Sequence, residues 1–406
     1  MKFCLIGEKL SHSYSKKIHT LCGLNYGLVE LDKNQLKDFC NNCEYAGFNV
    51  TIPYKKEIMP LLHGIDDEAL KIGAVNTVKN VKGKLYGFNT DAFGFSFMLK
   101  QASISLKNKV VAILGTGGAK NTAEYIAKNH GAKKIIIVSR SGEINYNNIY
   151  EQKDIEIIVN ATPVGTYPNN YETLLDLTKF EKLEGVVDCI YNPFITGLIY
   201  GAKNKNIKYT NGLNMLVAQA LKAQEIWLNK KFTNEEILSV AESIKKDIQN
   251  IVLIGMPSCG KSTIGKILAQ KLGKKFVDLD EEIYKSLGKT PSQLIEEFGE
   301  EYFRNVETNV AKEISKNNKM VIATGGGAVL KKENQTALKQ NSVVVYIKRA
   351  LNKLVLADRP ISKQKGIEKL YSERAEIYSG FCDVAVENNE SIDTCVKEIE
   401  SLLWKF

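Results

Sequence analysis

Short apolar runs alternate with longer amphipathic stretches along the chain. Positions 2–7, 48–52, 110–114, 134–138, 155–160 and 186–190 read as buried strands, with helical periodicity between them. Alternation of this kind predicts an α/β protein with mostly parallel sheets. The segment "AVNTVKNVKGKLYGFNTD", residues 74–91, departs from it and reads as a hairpin turning at Lys82-Gly83 and ending in the polar cluster Asn89-Thr90-Asp91. Two helical patterns, "LNMLVAQALKAQEIWL" and "NEEILSVAESIKKDIQ", close the first half, and the apolar run 251–254 opens a second α/β series. The border falls at 245–250 without a proline- or glycine-rich linker, so the chain is read as 1–249 followed directly by 250–406.

Composition narrows the class. A chain of 406 residues with 44% hydrophobic and 25% charged residues has the make-up of globular domains with their own cores. The net charge of +9 is dispersed, with no run of five or six basic residues. That pattern points to anionic small substrates, with neither nucleic acid nor membrane as partner. The eight cysteines are irregularly spaced and sit mostly in apolar segments, as buried thiols in a reducing compartment do. With no long apolar stretch and too short an apolar run at the start for a signal peptide, the expected location is cytoplasmic.

Two glycine turns carry the first chemical signals. In "VVAILGTGGAKNTAEYIAKNHGAKKIIIVSRS", a strand, a glycine turn, a helix and a strand fit one βαβ unit. Gly115, Gly117, Gly118 and Ala119 would let the backbone approach a pyrophosphate held at the helix N-terminus. The spacing is not GxGxxG, so a plain structural turn is the competing reading. Where an NAD site carries an acidic residue, this chain has Ser139-Arg140-Ser141; Arg140 suits the 2′-phosphate of NADP(H), against the alternative of a solvated arginine. The second turn, "NIVLIGMPSCGKSTIGKILAQ", has phosphate-loop spacing between a strand and a helix. Gly255, Gly260 and Thr263 belong to the cradle, Lys261 reaches the β- and γ-phosphates of ATP, and Ser262 ligates Mg2+.

The segments flanking the first turn, "GEKLSHSYSKKIH", "GFNVTIPYKKE", "GAVNTV", "GFNTD", "NATPVG", "VVDCIYNPFITGL" and "NGLNMLVAQA", resemble in this order the shikimate dehydrogenase family over residues 2–228. The resemblance implies an α/β substrate lobe, 1–102 with 210–249, and a Rossmann-like NADP lobe, 103–209. It makes Lys55 and Asp91 the catalytic pair, Ser13 and Ser15 the hydroxyls for the substrate carboxylate, Thr51, Asn76 and Gln219 its ring contacts, and Tyr191 a further carboxylate contact. Lys16 stands where the family commonly has proline, and Ser139 where it usually has asparagine. Residues 143–156 are also short for a full crossover helix.

Over residues 251–403 the order of "KKFVDLDEEI", "GEEYFRNVE", "VIATGGGAVL", "LADRP" and "YSERAEIY" resembles the shikimate kinase family, a P-loop α/β domain with a parallel sheet. By that resemblance Arg304 and Arg374 clamp the substrate carboxylate, and Asp280 holds and deprotonates the ring hydroxyl. Asp278 helps to place Mg2+, Gly325, Gly326 and Gly327 let main chain lie against the ring, and Arg359 gives a lid charge to the transferring phosphoryl group. No residue matches the family's adenine-stacking arginine. The combined expectation is a bifunctional enzyme that reduces 3-dehydroshikimate with NADPH and phosphorylates shikimate with ATP. A quinate or related cyclitol dehydrogenase using NAD, and a catalytically dead domain, are its rivals. Cys40-x-x-Cys43 lacks a second ligand pair, and His63 lies in no ligand spacing. Cys259, inside the phosphate loop, is expected to be an acidic thiol whose alkylation blocks ATP.

Overall fold

The computed structural model describes residues 1–10, 13–170, 172–354 and 366–404. The chain divides into two compact units, Met1–Ile244 and Lys245–Phe406. In the first, β1 (Phe3–Gly7), β2 (Tyr26–Glu30), β3 (Gly47–Val50), β4 (Gly64–Ile65), β5 (Thr77–Val81) and β6 (Lys84–Phe88) form a sheet of order β2-β1-β3-β5-β6-β4. β1 pairs in parallel with β2 and β3, whereas β5 runs antiparallel to β3 and β6. The β5–β6 hairpin turns at Lys82 (φ 53°) and Gly83 (φ 85°), two consecutive left-handed residues as a tight primed turn requires. It makes this sheet mixed.

The second sheet of the first unit is wholly parallel: β7 (Val110–Leu114), β8 (Lys134–Val138), β9 (Ile157–Asn160), β10 (Gly185–Asp188) and β11 (Lys208–Thr210), in the order β11-β10-β9-β7-β8. β7 is buried along its whole length, as its unbroken apolar run demands. Between β8 and β9 the described crossover contains only the single 3-10 turn Ile149–Glu151, matching the shortness of that stretch in the sequence.

Two helices bring the sheets' functional ends together. Asp91–Gln101 and Leu213–Leu228 lie so close that a Cβ on Gly94 would sit 2.6 Å from the Met215 carbonyl oxygen and 3.0 Å from Gln219 Cβ. Only glycine permits that approach, which sets Gln219 beside the first turn of the other helix. Trp227, near the end of Leu213–Leu228, donates to the Val78 carbonyl at 2.9 Å and stacks on Phe3, fastening the helix to the mixed sheet.

The second unit holds β12 (Asn250–Ile254), β13 (Lys275–Asp278), β14 (Met320–Ala323), β15 (Ser342–Lys348) and β16 (Val384–Glu387), all parallel in the order β13-β14-β12-β15-β16. β12 is central and fully buried, and the helix Lys261–Leu272 leaves its carboxyl end through the phosphate loop. That is where open parallel sheets bind ligands.

Candidate active sites

Lys55 lies in the loop after β3, where its carbonyl accepts from the Val75 amide at 2.8 Å. Asp91 is the first residue of Asp91–Gln101, and Asn89 Oδ1 accepts its amide at 3.0 Å. The Lys55 ammonium meets Asp91 Oδ2 at 2.6 Å, and Asn76 Nδ2 donates to Asp91 Oδ1 at 2.9 Å. Both carboxylate oxygens therefore have a partner, while Lys55 keeps N–H donors to spare. Asn76 is itself fixed by the Thr90 amide, which donates to its Oδ1 at 2.8 Å.

One cavity of about 410 Å³ is lined by Ser13, Ser15, Thr51, Lys55, Asn76, Asp91, Tyr191 and Gln219. The structure thus brings together every dehydrogenase substrate and catalytic residue expected from sequence. Gly118 and Ala119 of the glycine turn stand on its wall. Burial, with Tyr14 adding to it, pushes the Tyr191 phenol up to about 12, so it stays a hydrogen-bond donor at neutral pH. From Asn49 on the cavity wall a buried polar chain runs inward: its Oδ1 accepts from Tyr26 at 2.7 Å and lies 3.1 Å from His19 Nε2. His19 Nδ1 lies 2.9 Å from Gln224 Nε2. A neutral imidazole protonated on Nε2 satisfies both neighbours, and burial lowers the His19 pKa to about 3.

In the glycine turn, Gly115 has φ +109° and a Cβ there would lie 2.9 Å from Thr162 Cγ2. Helix Gly118–Asn129 starts without a side-chain cap, so its first amides are open to an anion. Arg140 follows β8 in an exposed loop at the same sheet end, since the Gly115 amide donates to the Val138 carbonyl at 2.8 Å.

In the second unit a cavity of about 270 Å³ is lined by Ser258, Gly260, Lys261, Ser262, Thr263, Asp278, Asp280, Thr324 and Arg349. Lys261 Nζ donates to the Gly255 and Met256 carbonyls at 3.0 and 2.9 Å, and Ser262 Oγ to Asp278 Oδ2 at 2.6 Å. Asp278 also caps the helix Leu279–Leu287 through the Asp280 amide, which orients the strand-end pair. Gly260 has φ +102°, and a Cβ there would strike Asn388 Nδ2 at 2.6 Å; Asn388 itself donates to the Cys259 carbonyl at 2.9 Å.

Arg304 sits in Glu300–Ser315, its Nη1 2.8 Å from Glu307 Oε2 and its Nη2 3.1 Å from Glu300 Oε1. The triple glycine makes room for these groups. A Cβ on Gly327 would lie 2.3 Å from Arg304 Nη2, one on Gly326 2.9 Å from Pro257, and one on Gly325 2.9 Å from Glu307 Oε1 and 3.1 Å from Asp280 Oδ1. Arg374 is 4% exposed, and Tyr378, one turn further along the same helix, hydrogen-bonds the Gly326 carbonyl.

Comparison with known proteins finds relatives for both parts of the chain. The family model for the shikimate dehydrogenase substrate binding domain matches residues 5–78, and that for shikimate kinase matches 257–403. The shikimate dehydrogenase (NADP(+)) of Clostridium beijerinckii is 39% identical over 252 residues, covering 57% of this chain and 93% of that protein. The chain belongs to the shikimate dehydrogenase family. Its C-terminal part carries a shikimate kinase domain. A chorismate mutase/shikimate 5-dehydrogenase fusion protein from Clostridium acetobutylicum superposes with TM-score 0.58 at 38% identity, over 60% of this chain and 96% of that one. Shikimate 5-dehydrogenase of Thermus thermophilus, solved with NADP(H) and shikimate, gives 0.53 at 28% identity over 60% and 99%.

Against the shikimate dehydrogenase and kinase patterns, three points change the sequence reading. Cys259 is 0% exposed and belongs to the second unit's apolar core, so it offers no surface to the alkylating agent expected, from its place in the loop, to reach it. Arg359 lies outside the described residues. Glu307 and Asn388 are two further residues at the site that the sequence patterns do not single out. Glu307 follows Arg304 by one helical turn, an ion-pair spacing readable in "FRNVE", whereas Asn388 carries no local signal because its contact crosses 129 residues.

Proposed function

We propose that the chain is a bifunctional enzyme of the shikimate pathway, with residues 1–249 reducing 3-dehydroshikimate to shikimate and residues 250–406 phosphorylating shikimate to shikimate 3-phosphate. The observation that carries the first activity is the Lys55–Asp91 pair at 2.6 Å in a cavity shared with the dinucleotide turn. NADPH, when bound, would supply the hydride for the ketone; Lys55 would donate the proton to the oxygen on which negative charge then develops, making the hydroxyl. Asp91 holds the ammonium in place, and Asn76 holds Asp91. Ser13, Ser15 and the protonated Tyr191 take the substrate carboxylate, while Thr51, Asn76 and Gln219 take its ring hydroxyls. Arg140, exposed two residues after β8, would take the 2′-phosphate and favour NADPH as the reductant.

For the second activity, Arg304 and Arg374 clamp the carboxylate, Gly327 leaves space for Arg304, Gly325, Gly326 and Gly327 let main chain lie against the ring, and Asp280 accepts the proton of the attacking hydroxyl. The phosphate loop, from Gly255 to Thr263, holds ATP, with Lys261 on its phosphates. Ser262 and Asp278 present hard oxygen donors of the kind Mg2+ takes, and the ion when bound neutralises phosphate charge. The hydroxyl formed by the first reaction is the one consumed by the second.

Supplied with 3-dehydroshikimate, NADPH, ATP and magnesium, the intact chain should oxidise NADPH, release ADP and accumulate shikimate 3-phosphate. NADPH oxidation without ADP release would remove the kinase assignment. Faster turnover with quinate and NAD than with shikimate and NADP would replace the dehydrogenase assignment by a cyclitol dehydrogenase. Among the described residues no helix is long and apolar enough to cross a membrane.

A further inference from the structure

The phosphate-loop cavity contains a cation that neither the loop spacing nor the family resemblance assigns. Arg349 directly follows β15, the strand that pairs in parallel with β12. In that register Ile254 faces Tyr346, so residue 349 leaves the sheet at the same end as the phosphate loop. Its backbone is held on both sides: the Ala350 amide donates to Asn389 Oδ1 at 2.8 Å, and the Lys348 carbonyl accepts from the Asn388 amide at 2.8 Å. The side chain is thus presented to the cavity from a fixed base.

Arg349 is incompletely satisfied there. Nη1 makes a long bond of 3.4 Å to the Ser258 carbonyl, and Nε is buried without a hydrogen-bond partner among the described residues. A guanidinium carries five N–H donors, and an unpaired buried one is unfavourable. A merely solvated arginine accounts for neither the buried Nε nor the place in the cavity wall. Ser258 belongs to the phosphate loop, so an anion held by that loop would lie within reach of the guanidinium.

We propose that Arg349 binds the polyphosphate of the nucleotide, a second cation beside Lys261. It exchanges its long carbonyl bond for charge-assisted bonds to phosphate oxygens. The inference rests on the nucleotide reading of this cavity.

Calorimetric titration of the full chain with ADP, and separately with inorganic tripolyphosphate, tests it on the wild type, Arg349→Gln and Arg349→Lys. The glutamine variant should weaken both ligands about tenfold or more, with partial recovery in the lysine variant, because a lysine keeps the charge and loses the fork. Dehydrogenase turnover, which belongs to the other unit, should not move. ADP affinity of Arg349→Gln within about twofold of wild type would overturn the proposal, on the same scale. Weakened ADP with unchanged tripolyphosphate would also overturn it, placing the contact on the nucleoside. Should the glutamine variant fail to fold, the lysine variant decides alone: wild-type affinity for both ligands refutes the role. A wild type that binds no ADP refutes the nucleotide reading itself, a distinguishable result.

Discussion

A single missing methyl group decides whether the proposed carboxylate clamp of the kinase domain fits. Gly327 has φ −104°, so alanine there meets no backbone strain, yet its Cβ would fall 2.3 Å from Arg304 Nη2. Arg304 cannot simply swing away, because Glu307 and Glu300 hold its guanidinium and its side chain is only 11% exposed. Gly327→Ala should therefore displace the clamp without unfolding the unit. The expected outcome is a KM for shikimate raised by about tenfold or more, the scale of one charged hydrogen-bonded contact, with ADP affinity and NADPH-dependent reduction unchanged. Steady-state kinetics with each substrate varied in turn checks this, and an unaltered KM would mean that Arg304 does not hold the carboxylate. The same reasoning shows what kind of residue sequence hides. Arg304 stands out in "FRNVE" by its charge, but Glu307, buried and raised in pKa chiefly by that burial against the pull of Arg304, has the look of any helix-surface glutamate until the fold turns it inward.

Elements were legible where one physical signal dominated. β7 and β12 are unbroken apolar runs because both faces are buried, and Leu213–Leu228 was outlined by its helical period. β4, two residues long and half-buried, and β2, which alternates between covered and exposed positions, carry too little burial to stand out. Gly94 is the opposite case, a glycine within a helix whose reason lies in another element. Replacing it with alanine puts Cβ 2.6 Å from a backbone oxygen, which cannot rotate aside as a side chain can. The two helices must separate, and Gln219 moves with them. Gly94→Ala should destabilise the first unit by roughly 1–3 kcal/mol, as overpacking in a close contact does, despite alanine's better helix propensity. Thermal unfolding followed in the presence and absence of NADPH measures it; a variant as stable as wild type, with unchanged reduction, would show that the approach of these helices is not needed.

At the scale of the molecule, two units imply two separable activities. Lys55→Ala should reduce dehydrogenase turnover by a factor of about 10² to 10⁴, the range of general acid catalysis, and leave phosphorylation intact. Lys261→Ala should do the reverse. Stability against pH gives a further test, because two buried groups in the first unit oppose each other. Burial holds His19 at about 3, below its ordinary 6.5, so the unfolded chain takes up a proton first as pH falls, and the stability His19 contributes is lost progressively from pH 6.5 down to about 3. Burial raises Asp188 from 3.8 to about 6, despite hydrogen bonds from Thr196, Ile190 and Asn160, so its contribution is full below 3.8 and is lost as pH rises to about 6. Each changes stability by about 1.4 kcal/mol per pH unit inside its window. Between pH 6 and 4 the two slopes oppose each other, so the wild-type profile does not separate them. The difference between wild type and His19→Gln isolates the first: it should move against the wild type by about 1.4 kcal/mol per unit as pH falls from 6 to 4. Calorimetry at several pH values, with the first unit's transition identified by its shift on adding NADPH, reads this difference. A constant difference across that range would show that His19 is not held neutral between Asn49 and Gln224.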